Sequence, residues 1–168
     1  DFDKVEAENV GVQAYGPADI GINKAMAVEQ IGFGLPLRGW DERVTEYTDF
    51  VTRGGCPDIL VSGVDSMGAR TMLATLAIQR GIPYFIDCRV LGEIACILAL
   101  PNNQLDNYIE YLPAGDELVH ARCGAKGTAY AGMWVASQVC AVINAIGRGL
   151  PLPPKIVWHV GMNQSVAP

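Results

Sequence analysis

The sequence has no basic cluster and no long apolar run, and each absence excludes a class of protein. Its 12 basic against 18 acidic side chains give a net charge of −6, which supplies no electrostatic surface for nucleic acid or an anionic membrane. The longest apolar stretch, Ile94–Leu100, is far shorter than the roughly 20 residues of a membrane span. We therefore expect no nucleic-acid partner and no membrane insertion.

Paired cysteines and a signal segment are also missing. The five cysteines are an odd number and include no C-x-x-C pair, which argues against a disulfide framework and against a four-cysteine zinc site. The sequence opens on Asp1-Phe2-Asp3, without a charged segment leading into an apolar one. These features predict a cytoplasmic protein.

The sequence also lacks two glycine-containing motifs, one typical of hydrolases and one typical of dinucleotide-binding enzymes. The sequence has no G-x-S-x-G elbow for a hydrolase serine, and we expect neither His120 nor His159 to be catalytic. Its glycine clusters, Gly32-Phe33-Gly34 and Gly54-Gly55, lead towards prolines instead of opening a helix. The lack of a G-x-G-x-x-G turn counts against the least favoured alternative, a dinucleotide-binding oxidoreductase.

The residues that are present predict a packed α/β protein. Apolar residues make up 50% of the 168 residues, which suits a single globular domain over residues 1–168. The acidity is local, because residues 1–50 hold ten acidic and four basic side chains while the remainder holds eight of each.

Hydrophobic periodicity gives the expected order of elements. We predict strands over 42–47, 58–63, 83–87, 90–100 and 156–160. We predict helices over 23–32, 67–80 and 128–146, the last apolar nearly all round and therefore mostly buried. Residues 101–122 are interpreted as a surface loop with a short strand over 108–112. The strand-helix-strand unit over 58–87 implies a parallel crossover, so the fold class is α/β, Rossmann-like, with a mostly parallel sheet and antiparallel strands in the C-terminal half.

Polar side chains stand at the predicted ends of strands and starts of helices. Asp1, Asp65 and Lys24 suit a ribose, a magnesium ion and a phosphate respectively, because ligands bind at the carboxyl ends of parallel strands and at helix N-termini. The residues alone leave simpler roles open: a solvated Asp1, an exposed Lys24 and an Asp65 that caps the following helix.

The order of these segments resembles the ThiF/MoeB/HesA family of ubiquitin-activating-type adenylyltransferases. The resemblance covers Asp1 to about Ile146 and rests on the following segments: Asp1-x-Asp3-x-Val5, Asn9-x-x-Val12-Gln13, Asp19-x-Gly21-x-x-Lys24, and a strand ending at Asp65 with Arg70 on the next helix. Membership implies ATP-dependent adenylation of the C-terminal carboxylate of a ubiquitin-like or sulfur-carrier protein, usually by a homodimer. It places these residues at ATP and Mg²⁺: Asp1, Asn9, Gln13, Lys24, Asp65 and Ser66, with Asp65 as the metal ligand.

Two departures from the family pattern keep a second function open. Val12 stands where the family has an arginine, and the G-x-G-G-x-G unit that the family places before the Asp1 segment is absent. We expect either that this βα unit precedes Asp1 in a longer protein or that the chain is a non-catalytic subunit, a pseudoenzyme that docks a carrier or a dimer partner. For Arg70, a ligand role and a salt bridge to a nearby acid are both open.

Some relatives transfer the carrier to a cysteine thiol, and Cys123 is the candidate acceptor. It lies between Arg122 and Lys126, and cationic neighbours lower the pKa of a thiol; a buried structural cysteine is the alternative. Cys88, beside Arg89, is the second candidate.

The other cysteines of the C-terminal half lie in apolar runs. We predict that Cys96 and Cys140 belong to the core. The segment from Asp87 onward resembles one found in a plasmid- and phage-associated branch of the family, and it suggests that Arg89 pairs with Glu93.

Overall fold

The computed structural model describes residues 1–32, 34–49, 54–91, 93–110, 112, 129–153 and 155–165. The chain forms two compact units, Asp1–Tyr47 and Thr48–Pro168. The single domain over residues 1–168 stays a prediction.

The first unit is built around one helix, α1 (Lys24–Ile31). Two 3-10 turns precede it, Ala7–Asn9 and Pro17–Asp19. Asn23 caps α1, because its side chain accepts the amide hydrogen of Met26 at 3.1 Å. The predicted helix over 23–32 is thereby confirmed, with a preferred residue type at its N-cap.

The described part of the second unit carries the sheet and three α-helices. The strands are β1 (Ile59–Ser62), β2 (Tyr84–Leu91), β3 (Ile94–Pro101), β4 (Lys155–His159) and β5 (Gln164–Ser165). The helices are α2 (Met67–Gln79), α3 (Leu105–Glu110) and α4 (Ala129–Gly147).

The sheet runs in the order β1-β2-β3-β4-β5. β1 pairs with β2 in parallel, with α2 as the predicted crossover, and the other three pairings are antiparallel. The described strands therefore form a mixed sheet, consistent with a Rossmann-like fold. The antiparallel strands predicted for the C-terminal half are confirmed, whereas parallel pairing does not predominate among the described strands. β2 and β3 pair antiparallel because only residues 92–93 link them. Two residues are far fewer than the dozen or so that a parallel crossover needs.

The two faces of this sheet are packed differently. One face presents Ile86 and Ile97 to Val135 and Val142 of α4, and all four are buried. Successive side chains of a strand alternate between faces, so Phe85 lies on the other face, where its ring centroid is 5.6 Å from that of Tyr108 in α3.

Two of the predicted strands are not strands in the structure. Residues 42–47 have no strand pairing and are mostly exposed, so their alternation reflects no buried face. Residues 108–110 belong to α3. Leu105 and Tyr108 are both buried, one helical turn apart, and this spacing of three fits helical packing.

Helix α4 lies where it was predicted, but it is not mostly buried. Its buried residues are Ala131, Val135 and Val142, and Met133 is 73% exposed. In the described part of the chain, α4 is long and apolar enough to cross a membrane, judged by length and composition. The core helix of a soluble protein meets the same criterion.

Candidate functional site

The residues predicted to bind ATP and magnesium are divided between the two units. The first unit contains Asp1, Asn9, Gln13 and Lys24, and the second contains Asp65 and Ser66. Cys123, the predicted thiol acceptor, lies outside the described residues, as does His120.

In the first unit, the segment containing Asp1 lies against the start of α1. Lys24 donates its amide hydrogen to the carbonyl of Asp3 at 2.8 Å, and its Nζ lies 3.6 Å from Asp3 Oδ2. Asn23 Nδ2 donates to the carbonyl of Asp1 at 2.8 Å. The structure thus brings Asp1 and Lys24, the predicted ribose and phosphate ligands, to one edge of this unit.

A second turn of the same unit positions Asn9 and Gln13. Asn9 Oδ1 accepts the amide hydrogen of Glu6 at 2.9 Å, and the carbonyl of Asn9 accepts that of Gln13 at 2.9 Å. The Tyr15 hydroxyl donates to the carbonyl of Lys24 at 3.4 Å and so connects this segment to α1. Val12, which replaces the family's arginine, is 42% exposed.

In the second unit, Asp65 and Ser66 follow the carboxyl end of β1. Ser66 caps α2, because its Oγ accepts the amide hydrogen of Ala69 at 3.2 Å. The capping role that the sequence left open for Asp65 is therefore filled by Ser66, while Asp65 is exposed. Ser62 Oγ is buried and makes no hydrogen bond in the part of the chain that is described.

Arg70 makes a buried ion pair that decides between its two open roles. Its Nη1 donates to the carboxylate of Asp87 and, at 3.0 Å, to the carbonyl of Cys88, and its Nη2 donates to the carbonyl of Val64. Arg70 is 4% exposed and Asp87 is fully buried. The salt bridge is present, and the same guanidinium holds the residue that precedes Asp65.

Asp87 has two further partners on its other side. Arg89 Nε donates to Asp87 Oδ2 at 2.6 Å, and the Tyr108 hydroxyl donates to the same atom at 2.9 Å. Burial raises the pKa of Tyr108, and the negative charge of Asp87 raises it further. Burial lowers the pKa of Arg89, but the hydrogen bond to Asp87, the negative charge of Asp87 and the interaction with Tyr108 together outweigh burial and leave the pKa raised.

This cluster corrects one expectation and adds a residue that was missed. The predicted pair between Arg89 and Glu93 is wrong, since Arg89 pairs with Asp87 and Glu93 accepts a hydrogen bond from the Tyr130 hydroxyl. A detectable signal for Asp87 was its position directly after the hydrophobic residues 84–86 of a predicted strand. A carboxylate there needs a cationic partner, and α2 and β2 each carry an arginine.

The described cysteines of the sheet and of α4 differ in burial. The two in the sheet are partly buried and have raised thiol pKa values, whereas the one on α4 is exposed. Burial, followed by the charge of Asp87, raises the pKa of Cys88 to about 11, which counts against it as the second thiol acceptor because the thiolate is the reactive form. Burial also raises the pKa of Cys96, which is half-buried. Cys140 is exposed, so the prediction that it belongs to the core is wrong.

The described residues contain no cluster of three or more side chains able to enclose a metal ion. Asp65 alone nevertheless suits magnesium, which proteins commonly hold by one or two carboxylates together with substrate phosphates. The residues therefore fit a magnesium ion that is brought with a nucleotide.

Comparison with known proteins reveals a fold and no sequence relative. No protein-family model matches the chain, and no curated protein matches it. Among solved structures, the chain is similar to PaaA, with a TM-score of 0.66 and 15% identity. It is also similar to MccB of E. coli with ATP, with a TM-score of 0.69 and 15% identity. A second MccB structure, with AMPCPP and MccA, gives 0.66 and 14%.

These alignments cover nearly the whole chain but only part of each neighbour. They include 98% of this chain and 61% of PaaA, and 97% of this chain and 52% of MccB. The chain thus spans about half to three-fifths of the neighbours' lengths. At this identity the likeness establishes the fold, which is the one shared by PaaA and MccB.

Proposed function

We propose that this protein catalyses ATP-dependent adenylation of the C-terminal carboxylate of a ubiquitin-like or sulfur-carrier protein. The observation that carries the proposal is the ordered set of segments around Asp1, Asn9, Lys24 and Asp65 on the fold of MccB, which has been crystallised with ATP. MccB has also been crystallised with MccA, and this supports a polypeptide partner for the present chain.

The residue types suit the chemistry. A carboxylate oxygen of the carrier forms a bond to the α-phosphorus of ATP while the bond to the bridging oxygen breaks, giving an acyl-adenylate and pyrophosphate. Negative charge grows on the phosphates, and the ammonium group of Lys24 is the described side chain assigned to oppose it. Magnesium, bound by Asp65, supplies further charge neutralisation. Asp1 is assigned to the ribose hydroxyls.

The hydrogen bond from Arg70 to the carbonyl of Val64 supports the role of Asp65. A ligand is effective only when its backbone is held, and this contact anchors the loop from the buried side. The guanidinium is itself fixed by Asp87. We therefore assign Arg70 as a positioning residue for Asp65.

Exchange of pyrophosphate into ATP, measured with the full-length protein and its carrier, tests the function. We expect Asp65→Asn to reduce the exchange at least a hundredfold, because one magnesium ligand is neutralised. Asp58→Asn is the matched control: Asp58 is also exposed but lies at the opposite end of β1, and this variant should retain activity. Undiminished exchange in Asp65→Asn refutes the assignment.

A non-catalytic role is the second candidate, and Val12 favours it because a phosphate-contacting cation is missing at an exposed position. Such a subunit binds its carrier or dimer partner without exchanging pyrophosphate. The gene sequence upstream of Asp1 also discriminates between the two functions. A G-x-G-G-x-G segment about 30 residues earlier, where the family resemblance places the nucleotide-binding βα unit, favours the enzyme.

We also propose that the protein is a homodimer, as the family resemblance implies. Helix α4 exposes Tyr130, Met133 and Ile143, which are apolar side chains suited to a contact between copies. Met133→Glu should convert a dimer to a monomer in light scattering coupled to size-exclusion chromatography. The control is Glu110→Gln, which changes an exposed residue at the end of α3 and should leave the mass unchanged. A second charge on α4, such as Ala136→Glu, is not a suitable control because it lies on the same helix as Met133.

Transfer to a thiol is proposed at Cys123 on the resemblance alone. A thioester with the carrier should be lost in Cys123→Ala and should remain in Cys140→Ala. Persistence of the thioester in Cys123→Ala excludes that residue as the acceptor.

A further inference from the structure

A cavity of about 420 Å³ lies in the second unit. Cys96, Leu98 and Leu100 of β3 line it. These residues alternate with Ala95, Ile97 and Ala99, which belong to the core cluster that includes α4 residues. The cavity therefore lies on the face of β3 opposite α4, and its volume is within the range of small-molecule sites.

The charge of the cavity wall is positive. Among the described residues that line it, two are cations, Arg89 and Lys155, and none is a carboxylate. Asp87, the counter-charge of Arg89, is fully buried and also pairs with Arg70. Lys155 is exposed, and within the described ranges it forms no ion pair. A ligand in this cavity thus meets two positive charges that one buried carboxylate only partly balances.

Arg89 is fixed in place before any ligand arrives. Its Nε donates to Asp87, and its Nη2 donates to the Tyr108 hydroxyl at 3.4 Å. The side chain nevertheless keeps 30% of its surface exposed. Because a guanidinium has five N–H donors, three remain for a ligand, and fixing the group beforehand lowers the entropic cost of binding.

The rest of the described wall is largely apolar, with Gln104 and Asn107 as its polar members. Leu98, Leu100 and Leu112 contribute hydrocarbon surface, and Tyr108 contributes the side of its ring. An inorganic anion uses none of this surface. An acid with a branched or aromatic body uses both parts of the cavity, since apolar burial adds to the charged contact.

We propose that this cavity binds a small organic carboxylate with an apolar body, its carboxylate between Arg89 and Lys155 and its hydrocarbon against Leu98 and Leu100. None of these residues is among those assigned to ATP or magnesium. The proposal therefore does not depend on adenylation. The carboxylate can belong to a free acid or to the end of a polypeptide, and both present the same chemistry to the cavity.

Alkylation of Cys96 reports occupancy directly, because this thiol lines the cavity. Burial raises its pKa, so its reaction with N-ethylmaleimide is slow and is followed over hours by peptide mass spectrometry. Cys56, exposed in the segment before β1, is the internal control. Saturating 4-methylpentanoate should slow alkylation of Cys96 at least fivefold without changing that of Cys56.

Two comparisons define the ligand. The neutral amide 4-methylpentanamide has the same body without the charge, and it should not protect Cys96 at the same concentration. Acetyl-glycyl-leucine, which ends in a carboxylate, represents the end of a polypeptide. If it protects Cys96 at lower concentration than 4-methylpentanoate does, the natural ligand is a polypeptide terminus; the reverse order indicates a free acid. Equal protection by the amide, or no protection by either acid at millimolar concentration, overturns the proposal.

Lys155→Gln tests the cationic wall. The residue is exposed at the start of β4, and retention of the circular dichroism spectrum shows that the variant folds. The concentration of acid giving half-protection should rise at least tenfold in Lys155→Gln, because a charge-assisted contact is lost. It should be unchanged in Arg148→Gln, which removes an exposed cation just after α4. Equal affinities in the two variants contradict the proposal.

Discussion

Asp87 is a fully buried carboxylate that joins three elements. It accepts hydrogen bonds from Arg70 of α2, Arg89 of its own strand and Tyr108 of α3. Removing one partner of a buried ion pair is costly because the other charge is left without compensation. This single side chain therefore governs both the packing of α2 and α3 on the sheet and the support of the loop before Asp65.

We predict that Asp87→Asn lowers the free energy of unfolding by about 3–5 kcal/mol, the usual cost of breaking a buried pair. Asparagine has nearly the same volume, so the loss reports charge and not a cavity. Urea unfolding followed by circular dichroism measures it. Glu110→Gln, an exposed carboxylate on α3, should stay within about 0.5 kcal/mol of the unsubstituted chain; a similarly small loss in Asp87→Asn contradicts the role given to the pair.

We predict that the alkylation rate of Cys88 depends on pH differently from that of a free thiol. Its pKa is raised from 9.0 to about 11, so near neutral pH its thiolate population is about a hundredfold below that of an unperturbed thiol. Its alkylation rate should rise tenfold per pH unit until about pH 11, whereas N-acetylcysteine levels off earlier. A rate profile that levels off with the free thiol contradicts the raised pKa.

The raised pKa of Cys88 also makes the stability of the folded chain depend on pH. The folded chain holds the Cys88 proton more tightly than the unfolded chain does, so between pH 9.0 and about 11 the folded state binds more protons. Stability therefore falls as the pH rises through this window. Cys88→Ser, which does not titrate there, should flatten that part of the stability profile.

Helix α1 depends on its cap. The Asn23 side chain accepts the amide hydrogen of Met26 and also donates to Asp41 Oδ1 at 2.8 Å. Asn23→Ala should cost about 1 kcal/mol from the cap alone, with an added loss from the bond to Asp41. Asn23→Ser keeps the acceptor but not the amide donor.

Hydrogen exchange of the α1 amides separates these two contributions. Protection should fall in the order Asn, Ser, Ala at position 23. If serine and alanine give equal protection, the capping bond contributes nothing.

The elements that the sequence predicted best were those with local signals. α2 is preceded by Ser66, a preferred capping residue, and it ends shortly before Gly81, whose φ of +63° suits glycine. The strand over 108–112 was wrong because α3 is stabilised by burial of Leu105 and Tyr108, which depends on distant parts of the chain. The burial of α4 was overestimated for the same reason: composition shows that a face is apolar but not what covers it.

The sequence predicted which residue types form the candidate site, but not the contacts that hold those residues in place. Asp65 and Lys24 stand out in the sequence because they follow a strand and begin a helix. The contacts that hold them do not stand out, since Asn23 reaches Asp1 and Arg70 reaches Asp87 across long separations in the chain. Such pairs are fixed by tertiary packing, which one sequence does not reveal.

At the level of the entire chain, the parallel pair of the mixed sheet follows from the crossover helix α2. Two of the three antiparallel pairs follow from short links, residues 92–93 and 160–163. The predicted glycine-rich unit, the homodimer and the cytoplasmic location stay predictions. The division into Asp1–Tyr47 and Thr48–Pro168 implies that two parts of the chain can differ in stability. Proteolysis should locate the weaker one, because cleavage follows local opening.

The sheet ends at β1, and that position has a consequence for handling the protein. β1 pairs with β2 on one side, and among the strands that the structure describes it has no second neighbour. Its outward peptide groups are a template for another strand, and Val61 on it is 42% exposed. A preparation of these 168 residues should therefore scatter more light as it is concentrated, and a strand supplied at that edge should suppress the scattering.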